Sequence, residues 1–185
     1  GLMGPDQDAV AGGGTGVVLG GGGAGGFAHL GAIRALRERG VPIDRIGGTS
    51  MGAIMAALAA LHGDDDQLVA VARRQFQKLF DYTVPMVSLV KAKRITAKLA
   101  EVFGEADAED LWLPFFCVST NLTEARAEVH RRGDLVNAVR ASIAIPGVLP
   151  PVPRGEDLLV DGGVLNNLPA DVMRADPSVS TVVAI

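Results

Sequence analysis

Short, continuous apolar segments alternate along the chain with longer segments of helical periodicity. In the first helical segment an apolar residue returns at every third position from Phe27 to Leu36, and Gly40 follows the last polar residues. This spacing predicts an amphipathic helix over 27–39. By the same reasoning, further helices are predicted over 51–61, 64–79, 96–103, 135–142 and 170–175.

The apolar segments between these helices are short and uninterrupted, as in strands that are buried on both faces. Strands are predicted over 15–19, 43–47, 114–120, 125–129, 158–160 and 179–185. Because strands and helices alternate, the pattern predicts an α/β fold. We expect a three-layer sandwich with a central, mostly parallel sheet and helices on both faces.

The two ends of the chain differ from this regular pattern. Residues 1–14 are rich in glycine and lack periodicity, so they are predicted to form a flexible leader, and 15–185 to form one domain. The last predicted strand reaches the final residue without a polar closing segment. This indicates a domain excised from a longer protein.

Charge and composition argue against several classes of protein. Apolar residues make up 48% of the 185 residues, and the net charge of −4 is carried without any basic cluster beyond short pairs. We therefore expect no nucleic-acid partner and no polybasic membrane anchor. Cys117 is the only cysteine and the three histidines are scattered, so neither a disulfide nor a metal site is expected. No signal peptide and no run of ~20 apolar residues is visible, which predicts a cytoplasmic protein that contacts membranes only peripherally.

The pentapeptide Gly48-Thr49-Ser50-Met51-Gly52 lies between a predicted strand and an apolar helix. This is the context of a nucleophile elbow, in which a serine occupies a tight, strained turn and glycines two positions away keep side chains out of that turn. At the start of a helix, developing negative charge is also favoured. The alternative interpretation is that Ser50 is an ordinary helix N-cap with incidental glycines.

A glycine run occupies residues 20–26, directly after the first predicted strand. Successive glycines can arrange backbone N–H groups into a concave nest that binds an oxyanion. The run also fits the dinucleotide-binding fingerprint through Gly21, Gly23 and Gly26. Asp44 then lies near the expected position of a ribose ligand. Both interpretations stay open on the run alone, whereas the phosphate loop of nucleoside triphosphatases is excluded because no Gly-Lys-Ser/Thr follows.

The tripeptide Asp161-Gly162-Gly163 follows a short apolar strand and, taken alone, is more typical of a turn than of a catalytic site. Chain order nevertheless limits how a histidine could assist a serine. No histidine follows His130, so a triad that uses it would need an earlier acid such as Asp107 or Asp110. A two-residue Ser–Asp arrangement needs no histidine and requires only that the carboxylate lies within hydrogen-bond reach of the hydroxyl.

These three segments, in this order, resemble the motif blocks of the patatin-like phospholipases. Residues 19–31 resemble the glycine-rich block, 48–52 the nucleophile block and 161–163 the catalytic-aspartate block. The resemblance implies that Ser50 is the nucleophile and Asp161 its base, and that no cofactor or metal takes part. The implied oxyanion donors are Gly22 and Gly23, and the implied shaping glycines are Gly21, Gly26, Gly48, Gly52, Gly162 and Gly163.

Finer similarity, over residues 110–114, 129–135, 140–151 and 161–169, resembles the neuropathy target esterase branch of this family. That branch implies a phospholipid or lysophospholipid substrate, transient contact with a membrane surface, and regulatory domains fused outside this chain. One position departs from the family pattern: Gly25 stands where the family commonly has Lys or Arg. This departure leaves a catalytically weak lipid-binding module as an alternative, beside a dinucleotide-binding oxidoreductase that uses the glycine run.

The segment 82–93 is apolar, lacks clear periodicity, contains Pro85 and ends among lysines. Such a segment can exclude water from a site while its apolar face meets lipid. We therefore expect it to form a mobile cover or a membrane-facing rim. A core-packed connection is the alternative.

Overall fold

The computed structural model of the protein describes residues 13–22, 25–63, 67, 70, 74–76 and 89–185. Its strands there are β1 (Gly14–Leu19), β2 (Arg45–Thr49), β3 (Phe115–Asn121), β4 (Arg126–His130), β5 (Val152–Arg154), β6 (Asp157–Asp161) and β7 (Val179–Ala184). The helices bounded within these residues are α1 (Gly25–Glu38), α2 (Met51–His62), α3 (Leu89–Phe103), α4 (Leu135–Ser142) and α5 (Ala170–Arg174), with short 3₁₀ turns at Ala108–Asp110 and Gly162–Val164.

One seven-stranded sheet runs through the fold in the order β5-β6-β3-β2-β1-β7, with β4 also paired to β3. The strands from β3 to β7 in this order are parallel. β4, β5 and β6 extend the sheet by antiparallel pairing, because short turns connect β3 to β4 and β5 to β6. The predicted α/β sandwich is confirmed, and its sheet combines a parallel part with an antiparallel part.

Helices cover both faces of this sheet, because successive strand residues point to opposite sides. On β1, Val17 and Leu19 pack into the larger core cluster, which contains α2. Val18 instead packs into a second cluster with Met173 of α5. On β3, Cys117 belongs to the larger cluster and is fully buried, as expected of a small core residue. The three layers are therefore helices, sheet and helix.

Helix α2 is apolar all round and is buried from Met51 to Ala60. A helix that is hydrophobic on every side is stable only when other elements surround it. α2 contacts β1, β2 and β3 of the sheet and also contacts α1 and α4. The turn at its N-terminus is consequently held inside the most enclosed part of the described fold.

The predicted starts of β2 and α3 are wrong, by two and by seven residues respectively. β2 begins at Arg45, two residues later than predicted, because the Asp44 side chain accepts the Thr15 N–H at 2.7 Å and caps the edge of β1 before pairing starts. Helix α3 begins at Leu89 rather than at residue 96. The basic residues that suggested a break lie mainly on its solvent side, while every third or fourth residue is buried.

Strand β5 was not predicted. It contains Pro153, which an edge strand tolerates because the missing N–H removes no bond from the interior of the sheet. The helix predicted over 64–79, the cover predicted over 82–93 and the leader predicted over 1–14 lie largely outside the described residues. Where they are described, 89–93 belongs to α3 and Gly14 belongs to β1.

Strands β2 and β6 reach the same point on β3 from opposite directions. β4 pairs with residues 117–121 along one edge of β3. The other edge is shared by β2, which pairs as far as Val118, and by β6, which pairs from Ser119 onward. Because β2 runs parallel to β3 and β6 antiparallel, their carboxyl ends meet. This topology brings the residue after Thr49 next to Asp161.

Candidate active site

Ser50 lies in a strained turn between β2 and α2. Its φ of 58° and ψ of −124° are adopted by few residues other than glycine. A side chain on Gly52 would collide with the carbonyl group of Leu19, and one on Gly48 would collide with the backbone of Gly52. Both positions require glycine because three backbone segments meet here. The turn has the geometry that the pentapeptide predicts.

Backbone hydrogen bonds hold Ser50 in this turn. Its carbonyl accepts the N–H groups of Ala53 (2.9 Å) and Ile54 (3.3 Å). Its own N–H donates to Oγ of Ser142 at 3.0 Å. The Ser50 side chain makes no capping hydrogen bond to α2, so the interpretation as an ordinary N-cap is wrong. The hydroxyl is left for another partner.

Asp161 ends β6 and is only 5% exposed. Its Oδ1 accepts the Gly163 N–H at 2.6 Å, whereas the buried Oδ2 has no hydrogen-bond partner among the described residues. Burial raises the pKa of this carboxyl group, and the Ser50 hydroxyl and the Gly163 N–H counteract the rise. The Ser50 hydroxyl therefore favours the charged form of the carboxylate, although no full hydrogen bond joins the two side chains.

The glycine run begins beside Ser50. The Gly21 N–H donates to the carbonyl of Asn167 at 2.9 Å, and the Gly21 carbonyl accepts from Nδ2 of Asn167 at 3.3 Å. A Cβ atom on Gly21 would lie 3.3 Å from Cβ of Ser50. Gly22 follows with a φ of 141° and open space around it, a backbone conformation that residues with side chains rarely adopt.

Two of the other predicted glycines, Gly162 and Gly163, lie at the same point. A side chain on Gly162 would collide with the carbonyl group of Val118, so this glycine lets β6 end tightly against β3. Gly163 supplies the N–H that binds the carboxylate. Gly26 lies in the first turn of α1, and Gly23 lies outside the described residues.

Comparison with known proteins identifies the family. The family described as patatin-like phospholipase matches residues 17–174. The chain belongs to this family. An uncharacterised NTE family protein of Mycobacterium tuberculosis is 48% identical over 170 residues, which cover 90% of this chain and 29% of that protein. Neuropathy target esterase sws of Drosophila melanogaster is 39% identical over 168 residues, which cover 86% of this chain and 12% of that protein.

These relatives place the patatin-like chain in the neuropathy target esterase branch, as its sequence motifs predict. The chain spans between 12% and 29% of the length of the two relatives. Among solved structures, VipD from Legionella pneumophila superposes with a TM-score of 0.64 at 19% identity, covering 83% of this chain and 46% of that one. This last likeness concerns the fold alone.

The dinucleotide interpretation of the glycine run fails in this patatin-like fold because of Asp44. Asp44 Oδ2 accepts the Thr15 N–H near the start of β1, whereas the glycine run follows the end of β1. At ~3.3 Å per strand residue, the two places are roughly 20 Å apart. Asp44 therefore cannot contact a ribose held by the glycines.

A histidine triad is not assembled either. Nε2 of His130 is hydrogen-bonded to Oγ of Ser119 at 2.6 Å, not to the elbow serine. Asp107, one of the acids that such a triad would use, forms an isolated bridge with Asp134 at the start of α4. His62 lies at the far end of α2. The triad that would use His130 is therefore contradicted by the position of that histidine.

Two further polar side chains contact the patatin-like site. Ser142 accepts the N–H of Ser50. Asn167 accepts the Gly21 N–H with its backbone carbonyl and donates to the Gly21 carbonyl from Nδ2. No periodicity or spacing indicates either contact. The only signal in the sequence is that both lie within the stretches that resemble the neuropathy target esterase branch.

Two further observations apply to the part of the chain that the structure describes. No group of three or more His, Cys, Asp or Glu side chains there is placed to hold a metal ion. In the same residues, no helix combines the length and the apolar character needed to cross a bilayer.

Proposed function

We propose that this chain hydrolyses acyl esters of lipids, with Ser50 as the nucleophile and Asp161 as the general base. The observation that carries the proposal is the meeting of a strained serine and a buried carboxylate whose Oδ2 lacks a partner among the described residues. An unpartnered buried carboxylate oxygen costs folding free energy, so its presence beside Ser50 supports a catalytic role. Membership of the patatin-like phospholipase family supports the same reaction class.

In the first step of the proposed reaction, Oγ of Ser50 attacks the ester carbonyl carbon and its proton passes to Asp161. Burial raises the pKa of this carboxyl group and so makes the carboxylate a stronger base. The carbonyl oxygen becomes an oxyanion, which the backbone N–H groups of Gly22 and Gly23 and the N-terminus of α2 would stabilise. When the tetrahedral intermediate collapses, the alcohol leaves with the proton from Asp161 and an acyl-enzyme forms.

In the second step a water molecule attacks the acyl-enzyme and gives a proton to Asp161. The same backbone donors would stabilise the second oxyanion. Collapse of this intermediate releases the fatty acid and returns the proton to Ser50. Every proton transfer in the cycle uses the single carboxylate, and no histidine is required.

An apolar edge beside the site supports a lipid substrate. We define this edge as Val164, Leu165 and Leu168, which are 52%, 54% and 43% exposed and follow the aspartate block directly. A Cβ atom on Gly20 would lie 3.2 Å from Leu168, so the edge borders the glycine run. Clustered exposed apolar side chains at a site are typical of surfaces that bind apolar ligands or membranes. We therefore propose a phospholipid or lysophospholipid substrate, reached by transient contact with a membrane surface.

The proposal is tested by labelling and turnover together. The purified chain is treated with a fluorophosphonate, and release of fatty acid from lysophosphatidylcholine and from phosphatidylcholine vesicles is measured. We expect a label on the peptide that contains Ser50 and fatty acid release, both absent in Ser50→Ala. Vesicle binding without label or release would overturn the proposal in favour of the weak lipid-binding module that Gly25 suggests.

The apolar edge has its own experiment. Leu165→Ser should weaken sedimentation with phosphatidylcholine vesicles and lower vesicle hydrolysis, while hydrolysis of a soluble nitrophenyl ester stays unchanged. Leu122→Ser is the matched control, because Leu122 is similarly exposed but lies on the turn between β3 and β4. Equal vesicle binding by both variants would show that the edge does not meet the membrane.

A further inference from the structure

A single buried hydroxyl joins the elbow to the sheet. Ser142 is the last residue of α4 and is fully buried. Its Oγ accepts the Ser50 N–H at 3.0 Å and donates to the carbonyl of Val118 at 2.6 Å. Because a hydroxyl has one donor and can accept at the same time, one orientation satisfies both contacts. The three groups form a continuous hydrogen-bonded chain from α2 to β3.

The register of the sheet shows which bond this bridge replaces. The Ile46 N–H donates to the carbonyl of Pro114 at 3.0 Å, which fixes the phase of the parallel β2–β3 ladder. In such a ladder every second residue donates in the same way. Continued by four residues, the ladder would pair the Ser50 N–H with the Val118 carbonyl. The Ser142 hydroxyl is inserted between these two groups. The chain can therefore turn away from β3 at Ser50 while the buried Ser50 N–H and the buried Val118 carbonyl each keep a hydrogen-bond partner.

The same short segment also holds the candidate base. The carbonyl of Ala144, two residues beyond Ser142, accepts the Asp161 N–H at 3.0 Å. Asp161 lies opposite Ser119 in a non-hydrogen-bonded pair of the β3–β6 ladder, since Leu122, three residues further along the chain, donates its N–H to the Leu158 carbonyl at 2.9 Å. The Asp161 N–H therefore points away from β3 and is available to Ala144. We call residues 142–144 the wedge. It lies where the carboxyl ends of β2 and β6 meet and binds a backbone N–H of both candidate catalytic residues.

We propose that Ser142 is a positioning residue that sets the separation of the Ser50 hydroxyl and the Asp161 carboxylate through this wedge. The inference rests on the proposed function. Both hydrogen-bonding contacts of the Ser142 hydroxyl go to backbone groups, so it transfers no proton and meets no substrate. A misplacement of about 1 Å between reacting groups can lower a rate on the order of 100-fold. Loss of the hydroxyl therefore acts on kcat and leaves substrate binding nearly unchanged.

The experiment compares three variants in one helix. Ser142→Ala removes the bridge, and Ser142→Thr keeps the hydroxyl. Val139→Ala is the control, because Val139 is fully buried one turn earlier in α4 and makes a cavity without touching the bridge. We expect Ser142→Ala to lower kcat on the order of 100-fold with KM little changed. Ser142→Thr should recover most of kcat, and Val139→Ala should lower the unfolding temperature but keep kcat.

The pH profile supplies a readout that packing alone does not move. In Ser142→Ala the Ser50 hydroxyl shifts away from Asp161, and its lowering effect on the pKa of that carboxyl group is weakened. The acid limb of kcat/KM should then move to higher pH. In Val139→Ala the limb should stay where it is in the parent protein.

The outcomes separate this inference from the proposed function. A folded Ser142→Ala protein with parent-like kcat and an unmoved acid limb would overturn the positioning role while Ser50→Ala remains inactive. Activity in Ser50→Ala would instead overturn the proposed function itself. If Ser142→Ala does not fold, Ser142→Cys provides the test, because a thiol has similar shape but weaker hydrogen bonds. Parent-like kcat in that variant would also refute the positioning role.

Discussion

Two pairs of a serine and a titratable side chain lie close together in this fold and differ in almost every property that matters for catalysis. One pair is Ser50 and Asp161. The other is Ser119 and His130, joined at 2.6 Å, and Ser119 lies directly opposite Asp161 in the β3–β6 pairing. Opposite residues share a face of the sheet. The two pairs are therefore neighbours under the same helices.

The Ser119–His130 pair is satisfied and enclosed. Ser119 is fully buried in a regular strand, and its hydroxyl already has a partner. Burial lowers the pKa of His130 to about 4, with Arg154 acting in the same direction and Glu128 opposing it. His130 is thus neutral near pH 7.

The Ser50–Asp161 pair has the opposite character, with a strained serine backbone and a carboxylate oxygen that has no partner within the described residues. It also lies where two strands end, beside a glycine run that leaves open space at Gly22. The comparison shows that a histidine next to a serine does not identify a nucleophile. A strained serine and an unsatisfied base at the end of a strand are the stronger criteria.

The largest expected difference between the pairs is the effect of removing each hydroxyl. Ser50→Ala should lower kcat for a nitrophenyl ester by at least about 10⁴-fold, because no other group can form the acyl-enzyme. Ser119→Ala should keep most of kcat, since its hydroxyl is hydrogen-bonded to His130 and is not the group that attacks the ester. Circular dichroism checks that both variants fold. Comparable losses of kcat in Ser50→Ala and Ser119→Ala would contradict the assignment of different roles to the two pairs.

The second prediction concerns the base. Asp161→Asn keeps the shape and the acceptor for Gly163 but removes the basic group, so kcat should fall by roughly 10²- to 10⁴-fold with a smaller change in KM. Burial disfavours the charged form of Asp161, so the same variant should have a higher unfolding temperature at pH 7. Near-normal kcat in the folded variant would contradict the dyad, and a lower unfolding temperature would contradict the energetic cost assigned to the carboxylate.

The sequence predicts those parts of the site in which the role of a residue depends on its neighbours in the chain. Gly48 and Gly52 frame a turn that they themselves make possible, and Gly162 allows the close approach that ends β6. Ser142 could not be found in this way, because its contact with Ser50 spans 92 residues and depends on the register of β2 against β3. Long-range register is a tertiary property that no local pattern in the sequence specifies.

The third prediction uses pH to sharpen the contrast between the two titratable groups. The proposed base must be ionised, and burial raises the pKa of Asp161 from its ordinary value of about 3.9. Activity should therefore fall as pH decreases through this raised pKa, so kcat/KM has its acid limb above the range of an exposed aspartate. His130→Gln should leave the limb in place. Loss of the acid limb in the His130→Gln variant would show that the limb belongs to the Ser119–His130 pair and not to Asp161.

The smallest effect on activity and the clearest effect on stability are expected at His130. Because its pKa is about 4 in the folded protein and about 6.5 when unfolded, the unfolded state binds the proton first as pH falls. The contribution of neutral His130 to the free energy of unfolding is present above pH ~6.5. It is lost as pH decreases toward 4, by roughly 3 kcal/mol in all and roughly 2 kcal/mol by pH 5.

His130→Gln keeps a partner for Ser119 but does not titrate. Between pH 7 and pH 5, the unfolding free energy measured by urea titration should therefore fall less in this variant than in the parent protein. Equal losses in the parent and in His130→Gln would show that the pair is not held neutral by burial, and the distinction drawn between the two serines would then rest on the strained backbone of Ser50 and the unpartnered oxygen of Asp161.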